Sequence, residues 1–135
     1  QMCIRDRDTV AFHFRPEREN LIILSNPERI SQLLTNLIHN AIKFTDHGSI
    51  ELAYSVLEAE KKLEISITDT GIGIPKEKQE AVFERFFKMN SFSQGTGLGL
   101  SICRTIAETS GGSLRIDPFY TDGCRMVLTL PLIYT

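Results

Sequence analysis

The stretch from residue 27 to residue 43 carries the pattern that most restricts the fold of this chain. Its apolar residues follow the i, i+3, i+4, i+7 spacing of one helix face, and they are Ile30, Leu33, Leu34, Leu37, Ile38, Ala41 and Ile42. Asn26 and Pro27 are typical of a helix start, because an asparagine can cap the helix and a proline in the first helical position loses no hydrogen bond. The turn-forming residues "TDHGS" end the pattern. A helix with this stripe packs its apolar face on a sheet.

The remaining apolar runs predict the strands of that sheet. Alternating apolar residues indicate strands over 10–14, 50–56 and 63–67, and the run "LIIL" at 21–24 indicates another. The charged turn "LEAEKK" joins the second and third of these runs into a hairpin. Two further strands are predicted over 114–116 and 124–130. Together with the helix, this order predicts a mixed sheet with helices on one face.

A second helix is predicted from about Leu98 to Ser110. It would carry Leu98, Ile102 and Ile106 on one face. Gly111 and Gly112 follow it and suit the left-handed geometry with which many helices end.

Composition excludes several classes of function. The chain has 135 residues, 41% of them hydrophobic, which is enough for one domain with a real core. Its net charge of −2 leaves no basic stripe for nucleic acid and no polybasic patch for a membrane surface. The three cysteines and three histidines have neither zinc-site nor disulfide spacing, which favours a reducing, cytoplasmic setting. No apolar run approaches the roughly 18 residues of a membrane-spanning helix.

The first seven residues, "QMCIRDR", show no clear period. We therefore predict that residues 1–7 are a non-native or disordered leader and that residues 8–135 form the domain.

Several polar residues interrupt the apolar patterns. Asn36, Asn40 and Lys43 share one narrow arc beside the apolar stripe of the first helix, where they could simply be solvated or could line a site. Asp69 follows Ile65 and Ile67 on the buried face of its strand. Because a buried carboxylate needs a donor, Asp69 could cap the turn that follows or accept a hydrogen bond from a ligand amine.

Two glycine-rich stretches complete the polar features. "DTGIGIP" contains Gly71 and Gly73, where the backbone can turn tightly or approach a flat ligand. "GTGLGLSI" leads glycines into a helix, so that backbone N–H groups and the helix dipole can face phosphate oxygens. The sequence lacks the P-loop pattern, and no strand directly precedes the glycines as the dinucleotide fingerprint requires.

Taken together, "NLIHNAIKFT", "DTGIGIP", "VFERFF" and "GTGLGLSI" resemble, in this order, the four boxes of the catalytic and ATP-binding domain of bacterial sensor histidine kinases. That family belongs to a superfamily shared with gyrase, MutL and heat-shock chaperone ATPases, often called GHKL or Bergerat-fold ATPases. The resemblance covers most of residues 9–132. It implies an α+β, two-layer sandwich with a mixed, mainly antiparallel sheet, in which ATP lies between helices under a mobile lid.

The resemblance also implies roles for residues of the first two boxes. Asn40 would coordinate Mg²⁺, with Asn36 assisting in the same network, and Lys43 would touch the phosphates of ATP. These three would be the catalytic residues. Phe44 would pack against the adenine ring, and Asp69 would accept the hydrogen bond from its amine.

Further cofactor-binding residues follow from the other boxes. Gly73 would let the base lie close to the backbone, with Gly71 and Ile74 in the same turn. Lys88 would direct its charge at the phosphates, and the lid would span about 88–96. Its phosphate-facing end would consist of Gly95, Thr96, Gly97, Leu98 and Gly99.

Asn36 indicates the branch of the superfamily. Hydrolysing relatives carry a glutamate there, so the resemblance implies phosphoryl transfer to a histidine on a separate dimerisation domain, and from it to a response-regulator aspartate. No phosphoacceptor motif surrounds His13, His39 or His47, so the chain alone should bind ATP but not autophosphorylate. The isolated domain is expected to be monomeric. The parent protein could be a membrane-anchored sensor. A serine kinase of the anti-sigma-factor type and a degenerate module that only scaffolds partners are the alternatives.

Overall fold

The structure is a computed structural model, and it describes residues 2–7, 10–15, 22–23, 27–43, 45, 47–84 and 99–134. The chain order is strands β1 (Met2–Arg7), β2 (Val10–Arg15) and β3 (Ile22–Ile23), helix α1 (Pro27–Lys43), strands β4 (Gly48–Leu57) and β5 (Lys62–Asp69), helix α2 (Gly99–Thr109), and strands β6 (Ser113–Ile116) and β7 (Cys124–Tyr134). Two short 3-10 turns, Lys76–Lys78 and Ala81–Phe83, follow β5.

The strands form one sheet in the order β1-β2-β4-β5-β7-β3, and β6 also pairs with β7. β2 and β4 run parallel, whereas every other described pair is antiparallel. The hairpin of β4 and β5 is in the predicted place, with Ile50 opposite Asp69 and Leu57 opposite Lys62. The prediction of a mixed, mainly antiparallel sheet is therefore confirmed.

The amino-terminal segment takes part in this sheet. Residues 2–7, which the sequence predicted as a non-native or disordered leader, form β1 and pair antiparallel with β2. β2 pairs with β4 on its other side, so without β1 it would present a row of free backbone donors and acceptors, and such a row readily accepts another strand. The pairing does not test whether the segment is native, so the assignment of residues 1–7 as a non-native or disordered leader stays a prediction.

The two helices pack over the sheet and enclose the core. α1 contacts α2 and β5, and α2 contacts β6 and β7. The α1 stripe is confirmed by the burial of Leu33, Leu37 and Ala41. These side chains meet alternate residues of the strands, among them Ile50, Ile67, Leu114, Met126, Leu128 and Leu130. The α+β sandwich with helices on one face is thus the observed fold.

The buried face of α2 differs from the prediction. Ile102, predicted on the apolar face, is 39% exposed, and the buried residues are Cys103, Ile106 and Ala107. The helical spacing places Cys103, Ile106 and Ala107 on one side, and Ile102 lies about 100° away from Cys103 around the axis. Leu98 lies outside the described residues.

The end of α2 follows the sequence prediction. Gly111 has a φ of +86°, the Gly112 N–H donates to the Ala107 carbonyl at 2.9 Å, and the Gly111 N–H donates to the Glu108 carbonyl at 3.1 Å. This is the Schellman arrangement, in which a left-handed residue lets the last carbonyls of a helix find donors. Neither helix in the described part of the chain is long and apolar enough to cross a membrane.

Candidate functional site

A pocket opens between α1 and the ends of two neighbouring strands. It encloses about 390 Å³ of space, part of it open to solvent. Its wall consists of Leu37, Asn40, Ala41, Ile67, Asp69, Gly73, Ile74, Cys124 and Met126. Most of these side chains are apolar. The polar groups are the Asn40 amide, the Asp69 carboxylate and the Cys124 thiol, so the pocket can hold a flat apolar group that carries a few hydrogen-bonding atoms.

The Asp69 carboxylate is the charged group of this wall. Asp69 is the last residue of β5 and is 5% exposed. Its Oδ1 accepts hydrogen bonds from the backbone N–H of Gly71 at 2.9 Å and from that of Cys124 at 3.2 Å. Neither bond uses Oδ2. The carboxylate therefore caps the glycine turn, as one of the two sequence interpretations expected, and keeps acceptor capacity for a ligand.

Burial sets the acidity of this group. The pKa of Asp69 is raised from its ordinary value of 3.8 because burial disfavours the charged form, and the hydrogen bonds from Gly71 and Cys124 act in the opposite direction. The Cys124 thiol beside it is also buried, which raises its pKa to about 12, and the charge of Asp69 adds to this effect. Cys124 is thus a neutral thiol at physiological pH.

The turn after β5 is pressed against the loop that precedes β7. Gly73 has a φ of +75°, and a Cβ there would lie 3.1 Å from the main-chain oxygen of Gly123. A side chain at position 73 would therefore meet backbone on one side. Gly73 and Ile74 both line the pocket. Because Gly73 has no side chain, it contributes only backbone to the pocket wall.

The polar residues that the sequence places on one arc of α1 have different surroundings in the structure. Asn40 lines the pocket, whereas the half-buried Asn36, one turn earlier, hydrogen-bonds the Cys103 thiol of α2. The same thiol contacts the Leu33 carbonyl oxygen at 3.8 Å, and burial raises its pKa to about 11. Lys43 is exposed in the last turn of α1 and does not line this pocket.

The structure thus brings four of the predicted site residues into one pocket, namely Asn40, Asp69, Gly73 and Ile74. Gly71 does not line the pocket, but its N–H donates to the Asp69 carboxylate. Gly99 is the first residue of α2. Six further predicted site residues lie outside the described residues, namely Phe44, Lys88, Gly95, Thr96, Gly97 and Leu98.

Sequence reasoning did not assign Cys124 or Met126 to the site. The signal is present in the sequence, because both residues belong to the alternating run that predicts a core strand. The sequence does not indicate that β5 pairs with β7. That pairing places Cys124, at the start of the run, opposite Asp69 at the end of β5.

Residues 80–83, which follow the glycine turn, contact α2. Arg104 donates to both carboxylate oxygens of Glu80, at 2.9 and 3.2 Å, and its guanidinium lies 4.3 Å from the centre of the Phe83 ring. Phe83 itself is buried in the core. Residues 80–83 are therefore held on the second turn of α2.

The side-chain oxygen donors of the pocket wall are the Asn40 amide and the Asp69 carboxylate. The described ranges contain no group of three or more histidine, cysteine, aspartate or glutamate side chains that could hold an ion. Cys103 and Cys124 are free and buried. The Asn40 amide can serve as the single protein oxygen of a hard cation that keeps most of its waters.

Residues 25–133 match the family model described as "Histidine kinase-, DNA gyrase B-, and HSP90-like ATPase". The chain is 40% identical over 113 residues to the adaptive-response sensory kinase SasA of Crocosphaera subtropica, which is 82% of this chain and 29% of SasA. It is 36% identical over 121 residues to the sensor histidine kinase WalK of Bacillus subtilis, which is 86% of this chain and 20% of WalK. The chain thus spans less than a third of these relatives.

Solved structures agree with the sequence comparisons. The nucleotide-free catalytic domain of histidine kinase ThkA superposes with a TM-score of 0.79 at 35% identity, covering 90% of this chain and 78% of that one. Full-length ShkA, solved in complex with AMPPNP, gives a TM-score of 0.82 at 25% identity and covers 93% of this chain and 26% of ShkA.

Proposed function

Because this chain belongs to the family of histidine kinase-, DNA gyrase B- and HSP90-like ATPases, we propose that it is the ATP-binding catalytic domain of a two-component sensor histidine kinase. The observation that carries the proposal is the shared pocket of Asp69 and Asn40, a buried carboxylate and an amide from two different layers of the fold. ShkA, which has the same fold, was solved with the ATP analogue AMPPNP.

The β5 end of the pocket suits the adenine ring. Asp69 Oδ2 accepts a hydrogen bond from the adenine amine, while Gly71 and Cys124 hold Oδ1 in place. Apolar side chains such as Leu37, Ile74 and Met126 line the space around it. A guanine ring would present a carbonyl oxygen to the same carboxylate, and an unpaired contact of this kind strongly disfavours the wrong base.

The α1 end suits the phosphates and the metal. Asn40 would hold magnesium through its carboxamide oxygen, with Lys43 in the last turn of α1 and the start of α2 at Gly99 near the phosphate side. Magnesium bound there supplies charge neutralisation of the phosphates. Phe44, Lys88 and residues 95–98 keep the phosphate- and base-side roles that the resemblance implies.

The same residues favour transfer of the phosphoryl group over hydrolysis of ATP. A water molecule needs a general base for attack, and Asn36 offers an amide that is already hydrogen-bonded to Cys103. The γ-phosphoryl group therefore passes to an external imidazole, on a histidine of a separate dimerisation domain, and ADP is released. A response-regulator aspartate receives it next. The named relatives are sensory kinases, which favours this proposal over a serine kinase of the anti-sigma-factor type.

The setting of the domain belongs to the same proposal. Free, buried Cys103 and Cys124 agree with a reducing cytoplasm. The dimerisation domain would belong to the same parent protein, and the isolated domain would be a monomer that does not autophosphorylate.

The proposal is tested by phosphoryl transfer in trans. The purified chain is mixed with γ-labelled ATP, magnesium and a separately made dimerisation domain from a sensor kinase. We expect label on the partner that is lost in acid and stable in base, the behaviour of phosphohistidine. Acid-stable label would indicate a serine acceptor and contradict the proposal, and so would labelled inorganic phosphate without labelled partner.

A matched pair of variants ties the transfer to the pocket. Asn40→Ala should abolish transfer, whereas His39→Ala changes an exposed neighbour on the same helix and should leave it intact. An Asn40→Ala variant that transfers as well as His39→Ala would place the chemistry elsewhere.

A further inference from the structure

The loop between β6 and β7 holds the backbone of Asp69. Tyr120 lies in this loop, and its hydroxyl donates a hydrogen bond to the main-chain carbonyl oxygen of Asp69 at 3.2 Å. Asp69 is therefore contacted twice from this side of the fold, because its carboxylate also accepts from the Cys124 N–H. Tyr120 does not line the pocket.

The Tyr120 ring is itself held in place by an arginine of β7. The Arg125 guanidinium lies 4.7 Å from the centre of the ring, within the range of a cation–π contact. Arg125 Nε donates to Thr68 Oγ1 at 3.0 Å, and Nη1 lies 3.4 Å from Asp117 Oδ2. Because Thr68 directly precedes Asp69, Arg125 links the tyrosine to the end of β5 by a second route.

The loop is closed at its base and pressed against β5. The Asp117 N–H donates to the Arg125 carbonyl, and the Phe119 N–H donates to Asp117 Oδ1, each at 2.9 Å. A Cβ at Gly123 would overlap the carbonyl oxygen of Asp69, so only glycine lets the loop come this close. The loop is thus shaped to meet the residue that carries the pocket's carboxylate.

We propose that Tyr120 is a positioning residue for base recognition, which fixes the Asp69 backbone so that the carboxylate meets the exocyclic amine of adenine. This inference rests on the proposed function. The hydroxyl is suited to the role as a donor, because burial raises its pKa above the ordinary value of 10.0, and the nearby charges of Asp122 and Asp69 add to this effect.

The test compares two nucleotides that differ only at the amine. The full chain and its Tyr120→Phe variant are titrated, in the presence of magnesium, with ATP and with purine riboside triphosphate, which lacks the 6-amino group. Because a misplaced Asp69 carboxylate makes a weaker hydrogen bond to the adenine amine, Tyr120→Phe should raise the Kd for ATP by about threefold to tenfold. The Kd for the purine analogue should stay the same, so the preference for ATP falls by that factor.

A merely structural role would give a different result. General loosening of the pocket would weaken both nucleotides equally and leave the preference unchanged, and this outcome overturns the inference. So does a Tyr120→Phe variant that binds both nucleotides as the unchanged chain does. If Tyr120→Phe does not fold, Arg125→Gln, which keeps the hydroxyl but removes its support, should lower the preference in the same direction, and an unchanged preference there overturns the inference.

The Tyr54→Phe control and the unchanged chain together distinguish failure of the proposed function from failure of the role of Tyr120. Tyr54→Phe removes a hydroxyl from β4 opposite Ile65, four residues along β5 from Asp69 and so about 13 Å away. It should leave the preference unchanged. If the unchanged chain itself does not prefer ATP over the purine analogue, the proposed function of Asp69 fails. If it does prefer ATP and Tyr120→Phe keeps that preference, only the role of Tyr120 fails.

Discussion

The backbone N–H of Cys124 donates a 3.2 Å hydrogen bond to the side-chain carboxylate of Asp69, so the first residue of β7 holds the functional group of the last residue of β5. Gly71 donates to the same oxygen at 2.9 Å. The carboxylate is thus oriented before a ligand arrives, and a preorganised group loses less conformational freedom on binding.

Replacing this carboxylate should separate binding from folding. In Asp69→Asn, the amide oxygen can keep both backbone donors, but the amide nitrogen would then face the adenine amine, donor against donor. We expect a loss of about 1.5 to 3 kcal/mol in ATP binding, which is about tenfold to a hundredfold in Kd. Calorimetric titration measures the affinity, and denaturant unfolding should show a free energy of unfolding that is unchanged or higher.

The control for this variant is Asp122→Asn, which removes a charge from an exposed position near the same turn. It should bind ATP normally. An Asp69→Asn protein that is folded and retains full affinity would remove Asp69 from the adenine site.

The raised pKa of Asp69 gives a pH dependence of defined sign. The folded protein holds this proton more tightly than the unfolded chain, so the contribution of Asp69 to stability is present below the ordinary value of 3.8 and is lost as pH rises through the folded pKa. Over the same range ATP affinity should rise, because the adenine amine needs an ionised acceptor.

Unfolding curves and ATP titrations from about pH 4 to about pH 7 would check both signs. The free energy of unfolding of the unchanged protein should fall relative to that of Asp69→Asn as pH increases. A difference that grows in the opposite direction would show that the hydrogen bonds from Gly71 and Cys124 outweigh burial.

The contact of Arg104 with Glu80 and Phe83 should contribute modestly to stability. Arg104→Ala removes a bidentate ion pair and a cation–π contact, and we expect a loss of about 1 to 2 kcal/mol in the free energy of unfolding. Glu80→Gln should cost less, because the Glu80 side chain is 82% exposed and the arginine still covers Phe83. Arg104→Lys, which keeps the charge but not the two-pronged geometry, should lie between them in denaturant unfolding. Equal losses in all three variants would contradict this ranking.

The two described thiols should be unreactive in the folded protein. Burial raises the pKa of Cys103 to about 11 and that of Cys124 to about 12, from an ordinary value of 9.0. The thiolate fraction at neutral pH therefore falls by about a hundredfold or more. In a Cys3→Ser background, alkylation by iodoacetamide should be at least that much slower in buffer than in denaturant. Rapid alkylation of the folded chain would show that these positions open readily.

Local patterns account for the parts of the fold that were predicted from the sequence. The α1 stripe and the β4–β5 hairpin depend on residues that are near one another in the chain, and both are in their predicted places. The burial of Asp69 followed from alternation alone. The exposure of Ile102 did not, since it depends on which side of α2 meets the sheet.

The site depends more on contacts between distant segments. Cys124 lies in the pocket wall because β5 pairs with β7. Tyr120 contacts Asp69 although the two residues are fifty-one positions apart in the chain. The parallel pairing of β2 with β4 joins strands that are separated by α1. No residue-by-residue period encodes such contacts, because they arise only when the layers come together.

The most direct test of the account is a crystal structure of this protein with AMPPNP and magnesium. The account predicts the adenine ring in the pocket of Leu37, Ile74 and Met126, with its amine within about 3.2 Å of an Asp69 carboxylate oxygen and the Asn40 amide oxygen on the metal. A nucleotide bound elsewhere, or a base in this pocket whose amine faces away from Asp69, would contradict it.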